Sequence, residues 1–378
     1  MLLYFFIIFL FYYLFIGMMV YGWNTIKASY KRENSGDLPY VSIVVAVRNE
    51  EKNIHRLLTC LSEQSMSHDQ FEIILIDDNS EDRTAEEISK FKSTAKLNLQ
   101  LLKNDISPDK LTSPKKNALK KGIEAAKGEL IILTDGDCWF EKDWLKSMIS
   151  AFNNEKTMFV AGPVALKGEG TLLSRIQSME FSSLMGTGAA MIRYNYPLMC
   201  NGANLAFRKL AFYHVDGYEG NETISSGDDV FLMQKIHTSF KNSVSFLKDQ
   251  RAIVASKPQS SLTSLIHQRK RWASKWNQYQ LPFSWFLPVF LFIHYISFLA
   301  CIVTIAFVPQ YVLEISLLMM IKFILDYYML KKVMDFCKLR FQISIFLLSE
   351  LLYPFYALII GILVHFRKYQ WKGRIHNV

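Results

Sequence analysis

The sequence predicts an α/β protein: a mostly parallel sheet with helices on both faces, in a soluble domain flanked by membrane helices. Short β-branched runs alternate with helical patterns between residues 40 and 133. Polar and acidic residues stand where these runs end. Two apolar blocks, residues 1–23 and 282–366, bracket a stretch of ordinary globular composition, residues 24–281.

Residues 1–23 carry no charge and are long enough to span a bilayer. They lack the basic start, short apolar core and small-residue cleavage site of a signal peptide, so an uncleaved helix is expected. Lys27, Lys31 and Arg32 come directly after and put residues 24 onward in the cytoplasm. Residues 40–47 read as a buried strand, since the run has no helical period. A helical pattern through Ile54, Leu57, Leu58 and Leu61 comes next. Residues 71–76 form the second strand, and Ser80 opens a helix with acids in its first turn. Residues 97–102 and 129–133 are the third and fourth strands, with a helix over 115–127 between them. Such alternation makes βαβ units, whose ligands bind beyond the carboxyl ends of the strands. Arg48–Glu50, Asp77–Ser80 and Asp135–Asp137 all fall there. Beyond residue 150 the pattern is less regular. Strands are expected at 159–164 and 252–255, and helices at 172–191 and 229–237.

About three membrane helices are expected after residue 281. Residues 282–308 and 341–366 are apolar and long enough to span, whereas 311–330 carry Glu314, Lys322 and Asp326. The basic segments 331–340 and 367–374 both favour the cytoplasmic side, although one spanning helix would separate them. Residues 341–366 are therefore expected either to span or to be broken by Glu350 and Pro354 into an interfacial or re-entrant piece, and the sequence does not choose between the two. Residues 367–378 form a basic tail. The net charge of +9 comes largely from such membrane-flanking clusters, which excludes nucleic acid as the natural partner and points to membrane lipids. Five scattered cysteines without metal spacing read as free thiols.

Four clusters carry the chemistry. Asp77-Asp78 reads as a cap or solvated loop, or as acceptors for a nucleobase N–H or a ribose hydroxyl. Asp135-Gly136-Asp137 is a turn dipeptide in the plain reading. In the sharper one, two carboxylates hold Mg²⁺ or Mn²⁺ against phosphate oxygens. Asp228-Asp229 caps a helix, or supplies a general base whose pKa the neighbouring acid raises. Gln268-Arg-Lys-Arg-Trp272 offers guanidinium groups for a diphosphate and a flat ring for a sugar, or is a juxtamembrane basic patch. Lys115 or Lys116 reads as a phosphate contact or a solvated helix face, and His267 reads as a structural residue.

Together these residues resemble the family 2 glycosyltransferases, which are inverting enzymes of the GT-A fold. The resemblance runs through most of residues 40–280. Val41-Ser-Ile-Val-Val-Ala-Val-Arg-Asn-Glu50 is similar to the family's first strand, with Arg48 in place of the usual aromatic residue and Ala46 where Pro is common. Ile76-Asp-Asp-Asn-Ser-Glu-Asp-Arg-Thr84 resembles Asp-Asp-Gly-Ser-x-Asp-x-Thr, and Asp135-Gly-Asp137 the Asp-x-Asp metal motif. Gly227-Asp-Asp229 stands where the family has Glu-Asp. Gln268-Arg-Lys-Arg-Trp272 resembles the Gln-x-x-Arg-Trp motif of the membrane branch, which holds cellulose, hyaluronan and poly-N-acetylglucosamine synthases and ceramide glucosyltransferases.

The resemblance implies roles. Glu50 and Asp77 contact the nucleoside, most often uridine, and Asp78 shapes the same pocket. Asp135 contacts ribose or diphosphate and, with Asp137, holds the metal. Asp229 deprotonates the acceptor hydroxyl, and Arg271 steadies the departing diphosphate. Trp272, Gln268, Asp228 and the Asn201–Asn204 segment, Asn204 included, shape the acceptor side. The implied partners are a nucleotide-sugar donor and a glycan or lipid acceptor, at a bacterial inner or plasma membrane. A processive polysaccharide synthase is the leading expectation, with a single-sugar glycolipid transferase next. A Gly-Asp-Asp RNA polymerase is disfavoured by the absence of a basic template groove. A non-catalytic export scaffold is disfavoured by the intact acids. The sugar, the acceptor and any partner subunit stay open.

Overall fold

A computed structural model of the chain describes residues 1–27, 39–104, 113–168, 170–221, 224, 226–275, 278, 281–282, 284–363, 368–371 and 374–377. Lys31, Arg32, Arg367 and Lys372 of the predicted basic clusters lie outside these residues. The chain opens with α1 (Leu2–Thr25). Then β1 (Val41–Val47), α2 (Ile54–Ser62), β2 (Phe71–Asp77), α3 (Thr84–Thr94), β3 (Leu99–Lys103), α4 (Pro114–Ala125) and β4 (Leu130–Leu133) alternate as the sequence predicts. After them come β5 (Trp139–Phe140), α5 (Trp144–Ser150), β6 (Phe159–Ala161), β7 (Val164–Leu166) and α6 (Leu172–Arg193). The next elements are β8 (Leu205–Arg208), α7 (Lys209–His214), α8 (Asp228–Ser239), β9 (Val244–Phe246), β10 (Val254–Ser256) and α9 (Leu262–Ala273). The last are α10 (Phe286–Phe307), α11 (Val312–Phe336), α12 (Ile343–Leu363), β11 (Lys368–Trp371) and β12 (Arg374–Asn377).

The main sheet has the order β3-β2-β1-β4-β8-β6-β9. Its first four strands are parallel, β8 is antiparallel to β4 and β6, and β9 is parallel to β6. Strands buried on both faces explain the largely apolar runs, and two buried polar residues within them, Ser42 and Glu72, bond each other at 2.6 Å. On one face Val41, Ile43 and Val45 meet Ile54, Leu57, Leu58 and Leu61 of α2. On the other, Val44, Ile74 and Ile131 meet Ala118, Leu119 and Ile123 of α4. That second core also takes in Met19 and Trp23 of α1 and Val333 of α11, so membrane helices pack into it. A smaller sheet, β5-β10-β7, lies beside the first. The strand expected over 159–164 divides at Pro163 into β6 and β7, which enter different sheets.

Among the described residues three helices are long and apolar enough to cross a membrane: α1, α10 and α12. The helix α11 carries Lys322, which pairs with Asp326 one turn on at 2.7 Å and with Glu350 of α12. Tyr12 of α1 donates to Asp326 at 2.9 Å. Of the two alternatives for 341–366, the break is absent: α12 runs through Pro354, and Glu350 is held by Lys322. Neighbouring helices that satisfy freed backbone groups make such prolines tolerable.

Candidate active site

Val47 of β1 lies opposite Asp77 of β2, and Asp78 N donates to Val47 O at 2.9 Å. The strand ends therefore meet on one sheet edge, as the alternation predicts. Arg48 spans the gap, donating to Asp78 O at 2.9 Å, to Asn79 O at 2.5 Å and to Glu81 at 2.8 Å. Glu50 lies two residues on, its carboxylate accepting from Asn53 at 2.8 Å. A Cβ at Gly136 would stand 3.0 Å from Glu50 Cγ and 3.1 Å from Val47 Cγ1, so glycine lets Asp135 and Asp137 close on Glu50.

One cavity of about 1620 Å³ takes in Arg48, Glu50, Asp78, Asp135, Asp137, Asp228, Asp229, Gln268, Arg271 and Trp272. A drug-sized ligand fills roughly 300–1,000 Å³, so two substrates fit together. Asp77 is not on its wall. It borders a shallower cleft with Arg48, Ser80 and Lys103, and its Oδ1 accepts from Ser80 N at 3.1 Å. The far wall comes from the membrane helices: Leu287, Leu291 and Phe292 of α10, and Tyr353, Ala357 and Ile360 of α12.

The acids are cross-linked by lysines. Lys115 reaches Asp135 Oδ1 at 2.9 Å and Asp228 Oδ2 at 3.1 Å. Burial disfavours its ammonium, but Asp135 and then Asp228 outweigh burial and raise its pKa. Burial likewise pushes Asp228 up, while Lys115, Lys275 and Lys116 prevail and hold its carboxyl below the usual range. The expected mutual raising of adjacent acids is thus overturned at Asp228, because lysines face it. Asp229 Oδ2 accepts from Gly202 N at 2.9 Å and Oδ1 from Val230 N at 2.8 Å. Both acids open α8, where the helix dipole favours them.

Asn204 corrects an expectation. It is fully buried and does not line the cavity. Its amide donates to Pro163 O and Ala252 O, both at 2.8 Å, and accepts from Trp144 Nε1 at 3.1 Å. Asn204 therefore ties α5 to both sheets, while Asn201 and Gly202 line the cavity. Asn204→Ala is expected to cost about 1–3 kcal/mol for each group left unpaired. Thermal unfolding would fall while the KM of turnover holds. Trp272 lines the cavity, but Arg269 covers part of its ring at 4.3 Å and Phe181 packs at 6.0 Å. Gln268 accepts from Arg269.

Sequence reasoning missed Lys275 and Glu180 and left Lys115 undecided. A signal was present for Lys115: a cation in a helix's first turn opposes the dipole and implies an acidic partner. Lys275 stands one turn beyond Arg271. Glu180 is the lone acid of α6 and pairs with Arg269 at 2.7 Å.

Family profiles match the chain: Glycosyl transferase family 2 over residues 42–215, and Glycosyl transferase family group 2 over residues 130–364. The chain belongs to glycosyl transferase family group 2. Among family 2 relatives, the poly-beta-1,6-N-acetyl-D-glucosamine synthase of Staphylococcus epidermidis is 28% identical over 251 residues, 65% of this chain and 56% of that one. The beta-monoglucosyldiacylglycerol synthase of Trichormus variabilis is 34% identical over 128 residues, 34% of this chain and 26% of that one. The chain spans less than two thirds of the length of these relatives. A mannosyltransferase from Pyrobaculum calidifontis, solved with GDP-Man and Mn²⁺, has a similar fold. Its TM-score is 0.56 at 17% identity, over 93% of this chain and 96% of that one.

Proposed function

We propose that this chain transfers a sugar from a nucleotide-sugar donor, a UDP-sugar, to a hydroxyl of a membrane-held acceptor, making a β-linkage by inversion. One observation carries the reading: a single cavity joins the acidic strand ends, Asp229, Arg271 and the walls of α10 and α12. Glu50 and Asp78 bind the nucleoside at the polar end, with Asp77 behind them. Asp229 takes the acceptor's proton, and the freed oxygen attacks the anomeric carbon. The bond to the β-phosphate oxygen breaks on the opposite side, and the diphosphate leaves towards Arg271. Lys115, already at Asp135, stands on the same wall.

Asp135 and Asp137 fit a hard divalent ion, since both offer carboxylate oxygens to the cavity. Among the described residues no three His, Cys, Asp or Glu side chains converge to cage a metal. Diphosphate and water oxygens would complete the shell, which suits Mg²⁺ or Mn²⁺. Bound there, the ion supplies positive charge to the leaving diphosphate. Turnover is expected to stop in chelator and return with Mn²⁺ or Mg²⁺. Full activity in chelator would remove the metal from this reading.

Helices α1, α10 and α12 seat the enzyme in a bacterial inner or plasma membrane, with the catalytic domain cytoplasmic. For the acceptor, the resemblance to the poly-N-acetylglucosamine synthase supports a growing glycan. The apolar wall of Leu291, Phe292 and Ile360 favours a lipid. Radiolabelled UDP-glucose and UDP-N-acetylglucosamine with membranes, with the product then sized, test both: a long polymer or a short lipid-soluble product. No label transfer from any UDP-sugar would refute the donor assignment.

A further inference from the structure

Asp228 and Asp229 are adjacent carboxylates, and each has its own lysine. Lys115, from the first turn of α4, serves Asp228 at 3.1 Å. Lys275, in the turn after α9, faces Asp229 Oδ1 at 3.8 Å, with the two side chains only 8% and 14% exposed. That is too long for a hydrogen bond, but attraction between part-buried charges reaches further.

The surroundings are shaped around this lysine. Gly227, just before the two acids, has φ +82°. A Cβ there would stand 3.0 Å from Lys275 Cδ and 2.5 Å from the Phe231 ring. Glycine thus serves both the backbone turn into α8 and the passage of the lysine stem. Gly202 N and Val230 N hold one carboxylate oxygen each, fixing the plane that Lys275 faces. The other titratable groups near Asp229 are Asp228 on α8, Lys115 on α4, and Cys200 and Tyr218 on the segments packed against it. Burial first, and then Asp229's charge, raises the Cys200 thiol; burial first, and then Asp228's charge, raises the Tyr218 phenol; both stay neutral. Among the described residues Lys275 is the ion-pair partner of Asp229.

We propose that Lys275 is the positioning residue for the base: its ammonium holds Asp229 as an oriented carboxylate, ready to take the acceptor's proton. The proposal deepens the assignment of Asp229 as base and rests on it. Lys275 stands in the turn just after α9, and α9 packs against α12. The orientation of the base is thereby tied to the packing of α9 on a membrane helix.

The test compares wild type with Lys275→Met and Lys275→Arg in membranes. Initial rates of UDP release from UDP-glucose and UDP-N-acetylglucosamine give kcat and KM, and calorimetry gives UDP affinity. Without the cation the carboxylate loses the group it faces, so the loss falls on kcat while the donor KM and UDP affinity hold. We expect Lys275→Met to be about tenfold slower or more in kcat, since a small misplacement of a reacting group can cost up to about 10²-fold. Lys275→Arg should restore kcat. Weakened UDP binding, a raised donor KM with unchanged kcat, or undiminished activity in Lys275→Met would each overturn the proposal. Should the Met variant fail to fold, Lys275→Gln gives the same readout. Asp229→Asn separates the two ideas: wild-type turnover in that variant refutes the base, whereas a dead Asp229→Asn with an unchanged kcat in Lys275→Met refutes only the lysine.

Discussion

Asp229→Asn is expected to lower transfer by about 10²–10⁴-fold, the usual contribution of a positioned general base. Asparagine is nearly isosteric: its amide oxygen keeps the Gly202 N–H bond at 2.9 Å, while its NH₂ gives up the bond from Val230 N. The nucleoside end of the cavity, on the ends of β1, β2 and β4, does not depend on that bond, so UDP should bind with little change by calorimetry. The amide cannot take a proton from the acceptor, so the loss appears in kcat. Turnover near the wild-type rate would remove Asp229 from its role, and loss of UDP binding would make it a structural residue.

Arg269→Met carries the largest expected stability effect. Arg269 meets Glu180 with two hydrogen bonds, at 3.1 and 2.7 Å, and both side chains are almost wholly buried. Tyr356 of α12 adds a hydroxyl to the same carboxylate at 3.2 Å. Removal of the arginine strands a buried charge, and breaking such a pair costs about 3–5 kcal/mol. Thermal unfolding in detergent should show a correspondingly lower midpoint. The double variant Glu180→Met with Arg269→Met should recover much of the loss, because a buried pair replaced by apolar groups of similar volume is often close to neutral. Equal instability in the single and double variants would mean that the pair is held for packing alone.

The sheet edge was legible because it obeys local rules. An unbroken apolar run such as residues 130–133 suits a strand buried on both faces, and the residues just beyond such a strand lie at the ligand-binding end of the sheet. Asp78, Asp135 and Asp137 were found in this way. Asn204 was misjudged because its partners, Pro163, Ala252 and Trp144, come from three distant segments and leave no pattern along the chain. Lys275 sits among basic and aromatic residues whose plain reading was a membrane-edge patch, and only the folded chain brings it to Asp229. The sequence does not choose at Pro354 for a related reason: helix α12 is stabilised by the neighbours it packs on, which local propensity does not count.

A single cavity shared between the sheet edge and α12 also bears on biosynthesis. The acidic strand ends, from Glu50 to Asp137, leave the ribosome first, and the α12 wall, residues 353–361, leaves more than two hundred residues after them. The cavity is therefore closed only once the last apolar helix has been made and packed.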